Sequence, residues 1–156
     1  MQHIITSPES IVRTPKKPFI FLGGTIDMGS SYDWQQDIIN VTKHKNVCFL
    51  NPRRKSWDGS WVQSIDNNNF REQVSWELEA LEKSDLILMY FAPQSYSPIS
   101  LLEFGMYARS KKIIVCCPEG FWRKGNLEIV CDRYDVKLVE SKTDLINNIN
   151  CFINKF

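Results

Sequence analysis

After Asp85 the chain runs through Leu86-Ile-Leu-Met-Tyr-Phe-Ala92, an unbroken apolar stretch too short for a helix of ordinary length. A strand that shows no polar alternation is covered on both faces, and such strands belong to parallel sheets. This stretch therefore asks for helices on both sides of a sheet. A Pro/Ser-rich loop follows it. Leu101, Leu102, Phe104, Met106, Tyr107 and Ala108 then fit a helix packed on the sheet, with Pro98 fixing the backbone just before it. Glu103 falls one turn into that helix, at its positive end. Ser100-Leu-Leu-Glu103 has the spacing of a capping box, in which serine and glutamate satisfy each other's backbone N–H groups. The competing reading is functional, because ligands of open α/β sheets bind outside the carboxyl ends of the strands.

The other apolar runs extend the same pattern. Phe19–Leu22, Val47–Leu50, Lys112–Cys117 and Val136–Val139 read as strands. Between them, Trp34, Ile38, Ile39 and Val41 recur at helical spacing, with Ser30, Ser31 and Asp33 available as caps. Asn69-Phe-Arg-Glu72 resembles a second capping box, opening a helix through Val74, Leu78 and Leu81. Glu119–Cys131 reads as loop with a short helix, and Ser141 or Thr143 can cap a last helix through Leu145, Ile146, Ile149 and Ile153. Alternating strands and helices predict an α/β fold: a single doubly wound, flavodoxin-like domain over residues 18–156, with a five-stranded parallel sheet of order 2-1-3-4-5 and helices on both faces. Residues 1–17 read as an N-terminal arm or edge extension. That strand order puts the ends of the first and third strands side by side, so Gly23-Gly24 and Glu103 would share one crevice.

Charge narrows the partners. Lys and Arg total 19 against 18 Asp and Glu, a balance that gives no electrostatic reason to expect a nucleic acid polymer or an anionic membrane. The five cysteines form neither a CxxC spacing nor a Cys/His cluster, so no metal is expected, and Cys48, Cys116 and Cys117 read as buried, reduced thiols. No stretch approaches the roughly 20 apolar residues of a membrane helix, and the N-terminus lacks a basic-then-apolar signal pattern. A cytoplasmic protein is the expectation. Gly23-Gly24 lacks the Rossmann fingerprint and the Lys-Ser/Thr of a P-loop, and reads either as a tight turn or as a close backbone approach to a ligand. Arg53-Arg54-Lys55 beside Trp57 and Trp61 reads as a solvated loop or as a phosphate site with an aromatic platform.

Four motifs in order carry a family resemblance: GGTID after the first strand, NPRRKSWD after the second, the passage QVSWELEALEKSD, and SPISLLEFG. Together they resemble the nucleoside 2-deoxyribosyltransferase family, in particular its branch with an SPI-LLE-G loop. The resemblance implies that Glu103 is a nucleophile, attacking the anomeric carbon of a 2'-deoxynucleoside with retention through a covalent ester. It implies that Glu77, often aspartate in relatives, protonates the departing base. Substrate contacts are implied for Gly23, Gly24, Thr25 and Asp27, for Asp58, for Ser97, and for Asn126 reaching in from a neighbouring subunit. The implied partners are 2'-deoxynucleosides and free nucleobases in a homo-oligomer with shared sites, without cofactor or metal. Ser97 stands where familiar transferases carry aspartate and related nucleotide N-hydrolases carry serine, which leaves hydrolysis of a deoxynucleoside or its 5'-monophosphate as the alternative. A non-catalytic nucleotide-binding module is the reading from a different class.

Overall fold

The computed structural model describes residues 1–27 and 31–156. Its six strands are β1 (His3–Thr6), β2 (Phe19–Gly24), β3 (Cys48–Asn51), β4 (Leu86–Tyr90), β5 (Ile113–Cys116) and β6 (Lys137–Val139). The helices are α1 (Trp34–Val41), α2 (Asn68–Lys83), α3 (Pro98–Tyr107), α4 (Lys124–Tyr134) and α5 (Lys142–Lys155). All strand pairs are parallel, in the order β1-β3-β2-β4-β5-β6. Without β1 this is the expected 2-1-3-4-5 arrangement. The sheet thus has six strands rather than five, because His3–Thr6 pairs with Cys48–Asn51 along the edge of β3.

Side-chain alternation divides the core into two layers. Phe19 and Phe21 join Trp76, Ala80 and Leu81 of α2, Phe104 of α3 and Leu127 of α4 on one face, while Ile20 and Leu22 meet Trp34 and Ile38 of α1 and Leu145 and Ile149 of α5 on the other. A strand flanked by helices on both sides has no polar face to show, which is why β2 and β4 read as continuous apolar runs. The N-terminal segment is tied to α2 and its C-terminal turn. Trp76 Nε1 donates to the Glu9 carbonyl at 2.7 Å, and Arg13 forms two bonds to the Asp85 carboxylate at 2.6 and 2.7 Å. Asp85 also accepts from the Phe19 N–H at 2.8 Å, closing the start of β2.

Helix starts differ from the sequence reading in two places. Asn67, not Asn69, caps α2 by accepting from Phe70 N–H, and Glu72 pairs with Arg54 instead of folding back. In α3, Pro98 occupies the first helical position after Ser97, whose backbone is left-handed (φ 46°, ψ 51°). Proline needs no N–H partner there and has its φ already set, so the helix begins earlier than the capping-box spacing suggested. Ser100 lies inside the helix and cannot be its cap. Asp33 caps α1 through Gln36 N–H, Ser141 caps α5, and the proposed cap Ser30 lies outside the described residues. All five cysteines are free, and four are buried. Among the described residues no helix is long and apolar enough to cross a membrane.

Candidate active site

Gly24 pairs with Tyr90, so the carboxyl ends of β2 and β4 lie side by side. Gly24 has φ 123°, and a Cβ there would sit 2.2 Å from the Tyr90 carbonyl oxygen. Only glycine permits that approach. The chain then turns at Thr25, whose N–H donates to the same carbonyl at 2.8 Å and whose carbonyl accepts from Trp34 Nε1 at 2.9 Å. Thr25 Oγ1 accepts from the Ala92 N–H at 2.9 Å, and lies 3.0 Å from the Ser95 hydroxyl and 2.7 Å from that of Ser97. Three buried hydroxyls are thereby gathered between the ends of two strands and the start of α3.

Glu103 is only 8% exposed and is the sixth residue of α3, beyond the first turn in which a helix dipole acts strongly. Its partner is Glu77 of α2: the two carboxyl groups are hydrogen-bonded to each other. Burial raises the pKa of both well above the ordinary carboxylate range. The negative charge of Glu77 pushes Glu103 further, whereas Glu77 is eased back by an N–H from Gln73. Two acids in contact away from water cannot both ionise, so one proton is held by the pair. Such a pair can present an anion and an acid at once.

The remaining implied residues are spread more widely. Gly23 is buried in β2, where an added Cβ would come within 2.9 Å of the Met89 and Phe21 side chains. Asp27 is exposed in left-handed backbone (φ 49°) just after Thr25. Asp58 is exposed and accepts from Ser60 N–H at 2.8 Å, which holds its carboxyl below the usual range. Asn126 stands on the exposed side of the first turn of α4. Within one chain neither Asp58 nor Asn126 is hydrogen-bonded to the carboxyl pair among the described residues.

Arg53 binds inward instead of standing in a solvated loop. Its guanidinium reaches Gln35 Oε1 at 3.1 Å, the Ser31 hydroxyl at 3.0 Å and Asp33 at 3.3 Å. It borders a cleft of about 660 Å³ that is also lined by Thr6, Asn51, Lys55 and Trp57. Neither carboxyl of the pair lines this cleft, but the residue after Asn51, Pro52, accepts from Gln73. Gln73 and Ser95 were not singled out in the sequence. For Gln73 a signal existed: it precedes Glu77 by four residues on the same helix face.

The family model described as "Nucleoside 2-deoxyribosyltransferase like" matches residues 17–121, more than half of the chain. The chain belongs to this family. The matched segment runs from the residues before β2 through the turn after β5, and so includes both carboxyls and all three hydroxyls. A conserved protein from Enterococcus faecalis V583 has a similar solved structure, with a TM-score of 0.59 and 12% identity over 86% of this chain and 98% of that one. At that identity the likeness concerns the fold. No curated protein matches the sequence.

Proposed function

We propose that this family member transfers 2-deoxyribose between nucleobases, with Glu103 as nucleophile and Glu77 as proton donor. The observation that carries this reading is the buried contact between Glu103 of α3 and Glu77 of α2, in which two carboxyl groups share a site away from water. In the resting pair the charge of Glu77 favours the proton on Glu103; the reaction requires that proton to pass across the contact, so that Glu77 becomes the acid and Glu103 the anion. The Glu103 carboxylate forms a C–O bond to the anomeric carbon as the C–N bond breaks, and the Glu77 proton passes to the departing base nitrogen. A second base, giving its proton to Glu77, then forms a C–N bond to the anomeric carbon as the C–O bond to Glu103 breaks, which frees the carboxylate and restores the starting configuration. Two displacements give net retention.

Asn126 is exposed and, among the described residues, is not hydrogen-bonded to the pair, and Ile99, Leu102 and Met106 leave α3 with an exposed apolar face. Both features support a homo-oligomer in which the asparagine serves the sugar of an adjoining copy. The Thr25, Ser95 and Ser97 hydroxyls favour a second reading, hydrolysis of a deoxynucleoside 5'-monophosphate, since hydroxyls at a helix start suit phosphate oxygens. Incubation with a deoxynucleoside, with and without a second free base, tests both. An exchanged nucleoside, with deoxyribose trapped on Glu103 and found by peptide mass spectrometry, is the expected result. Base release that ignores the acceptor would favour hydrolysis, and no release from any nucleoside or nucleotide would sink both.

A further inference from the structure

We propose that Gln73 is a positioning residue that directs the proton-bearing oxygen of Glu77 away from the helix and toward Glu103 and the departing base; the proposal rests on the reading of Glu77 as proton donor. Gln73 is 1% exposed, and every polar position of its amide is used. Its Nε2 donates to the Pro52 carbonyl at 2.9 Å and to Glu77 Oε1 at 2.8 Å, while its Oε1 accepts from the Ser7 hydroxyl at 2.6 Å. A carbonyl can only accept, so the Pro52 bond fixes which end of the amide is nitrogen. The second amide hydrogen must then point at Glu77 Oε1. An oxygen that faces a donor is the poorer place for a proton, which leaves Oε2 to carry it.

The chemistry of the donor matters as much as its place. A lysine or arginine at this position would hold Glu77 as a permanent anion and remove its acidity. A neutral amide orients the carboxyl while letting it ionise and reprotonate. From α3 the groups that bear on Glu77 are Glu103 and, through it, Tyr107. From the β3 side the contact is the uncharged Pro52 carbonyl, and the nearby Arg54 is held by Glu72. Ser7 of the N-terminal segment braces the amide from behind, so the site reaches as far as the edge strand's end.

The test uses Gln73→Met, of similar shape without the donor, and Gln73→Asn, which keeps an amide but is one methylene too short to reach both partners. Losing the N–H removes support for the ionised forms of the pair. Both limbs of the kcat/KM pH profile should therefore move upward, by about one pH unit. A residue that merely fills space would lower activity or stability with the limbs unmoved. An independent readout is the infrared band of the protonated carboxyl in the ligand-free protein, identified by its loss in Glu103→Gln, whose titration should move upward in step. Gln73→Asn carries the test if the methionine variant fails to fold. An active wild type whose limbs and carboxyl band stay in place in the Gln73 variants would overturn the role of Gln73. A wild type that releases no base would instead overturn the functional reading, with the infrared titration still measurable.

Discussion

A buried pair of acids makes the fold pay for its site as the pH rises. Glu103 and Glu77 bind their shared proton more tightly in the folded chain than in the unfolded one, where an ordinary glutamate loses it near pH 4.5. The pair's contribution to stability is therefore complete below that value and is lost as pH climbs through the raised folded pKa values. Glu103→Gln, which has no proton to lose, should melt at a rising advantage over wild type between pH 5 and roughly pH 8, and differential melting across that range measures it. An advantage that does not change with pH would mean that the pair is not held protonated. The proposed catalytic roles separate differently: Glu103→Ala should lose several orders of magnitude in turnover on every substrate, whereas Glu77→Gln should recover with a base that leaves without protonation. Steady-state rates on a good and a poor leaving group decide it, and equal recovery in both variants would refute separate roles. Glu103 stood out as a carboxylate in an apolar helix, whereas Glu77, one of several glutamates on a polar helix, stood out only through the family resemblance. Ser95 was not legible and Gln73 was so only through its spacing from Glu77, because a neutral amide or hydroxyl acquires its full meaning only when the closed chain supplies Pro52, Ser7 or Thr25 as its partner.

At the scale of elements, the five strands after the N-terminal arm and the caps of α1 and α5 were legible, whereas β1 and the starts of α2 and α3 were not. A strand buried on two faces leaves an uninterrupted apolar run, but a helix start is decided by which residue caps it, and Pro98 and Asn67 both outcompeted the serine and asparagine of the spaced motifs. The two glycines at the ends of this region make opposite predictions. Gly24→Ala forces a Cβ onto the Tyr90 backbone in a conformation with positive φ, and should cost about 3 kcal/mol or prevent folding. Gly105, inside α3, has nothing within 4 Å of an added Cβ. Gly105→Ala should therefore stabilise an isolated chain by about 0.5–1 kcal/mol, because the helix gains a residue that loses less entropy on folding. Denaturant titration of both variants checks the pair. A destabilised Gly105→Ala would mean that this helix face is approached closely by another molecule.

At the scale of the whole molecule, the proposed role of Asn126 calls for a second copy of the chain. Asn126 stands exposed on α4 while the carboxyl pair lies under α2 and α3, and Leu102, 61% exposed, leaves the outer face of α3 apolar. If a second copy covers such a face, each site takes its carboxyls from one chain and its asparagine from the next. Defects in the two chains can then be sorted into one site and spare the other. Glu103→Ala and Asn126→Ala should each be severely impaired alone. Unfolded together and refolded as a mixture, they should recover up to about a quarter of wild-type activity if the assembly is a dimer, since half of the particles are mixed and half of their sites are intact. The recovered activity should depend on refolding, and be absent when the two folded variants are combined without subunit exchange. If Asn126 served its own chain, every site in every mixture would carry one defect or the other, and refolding would restore nothing.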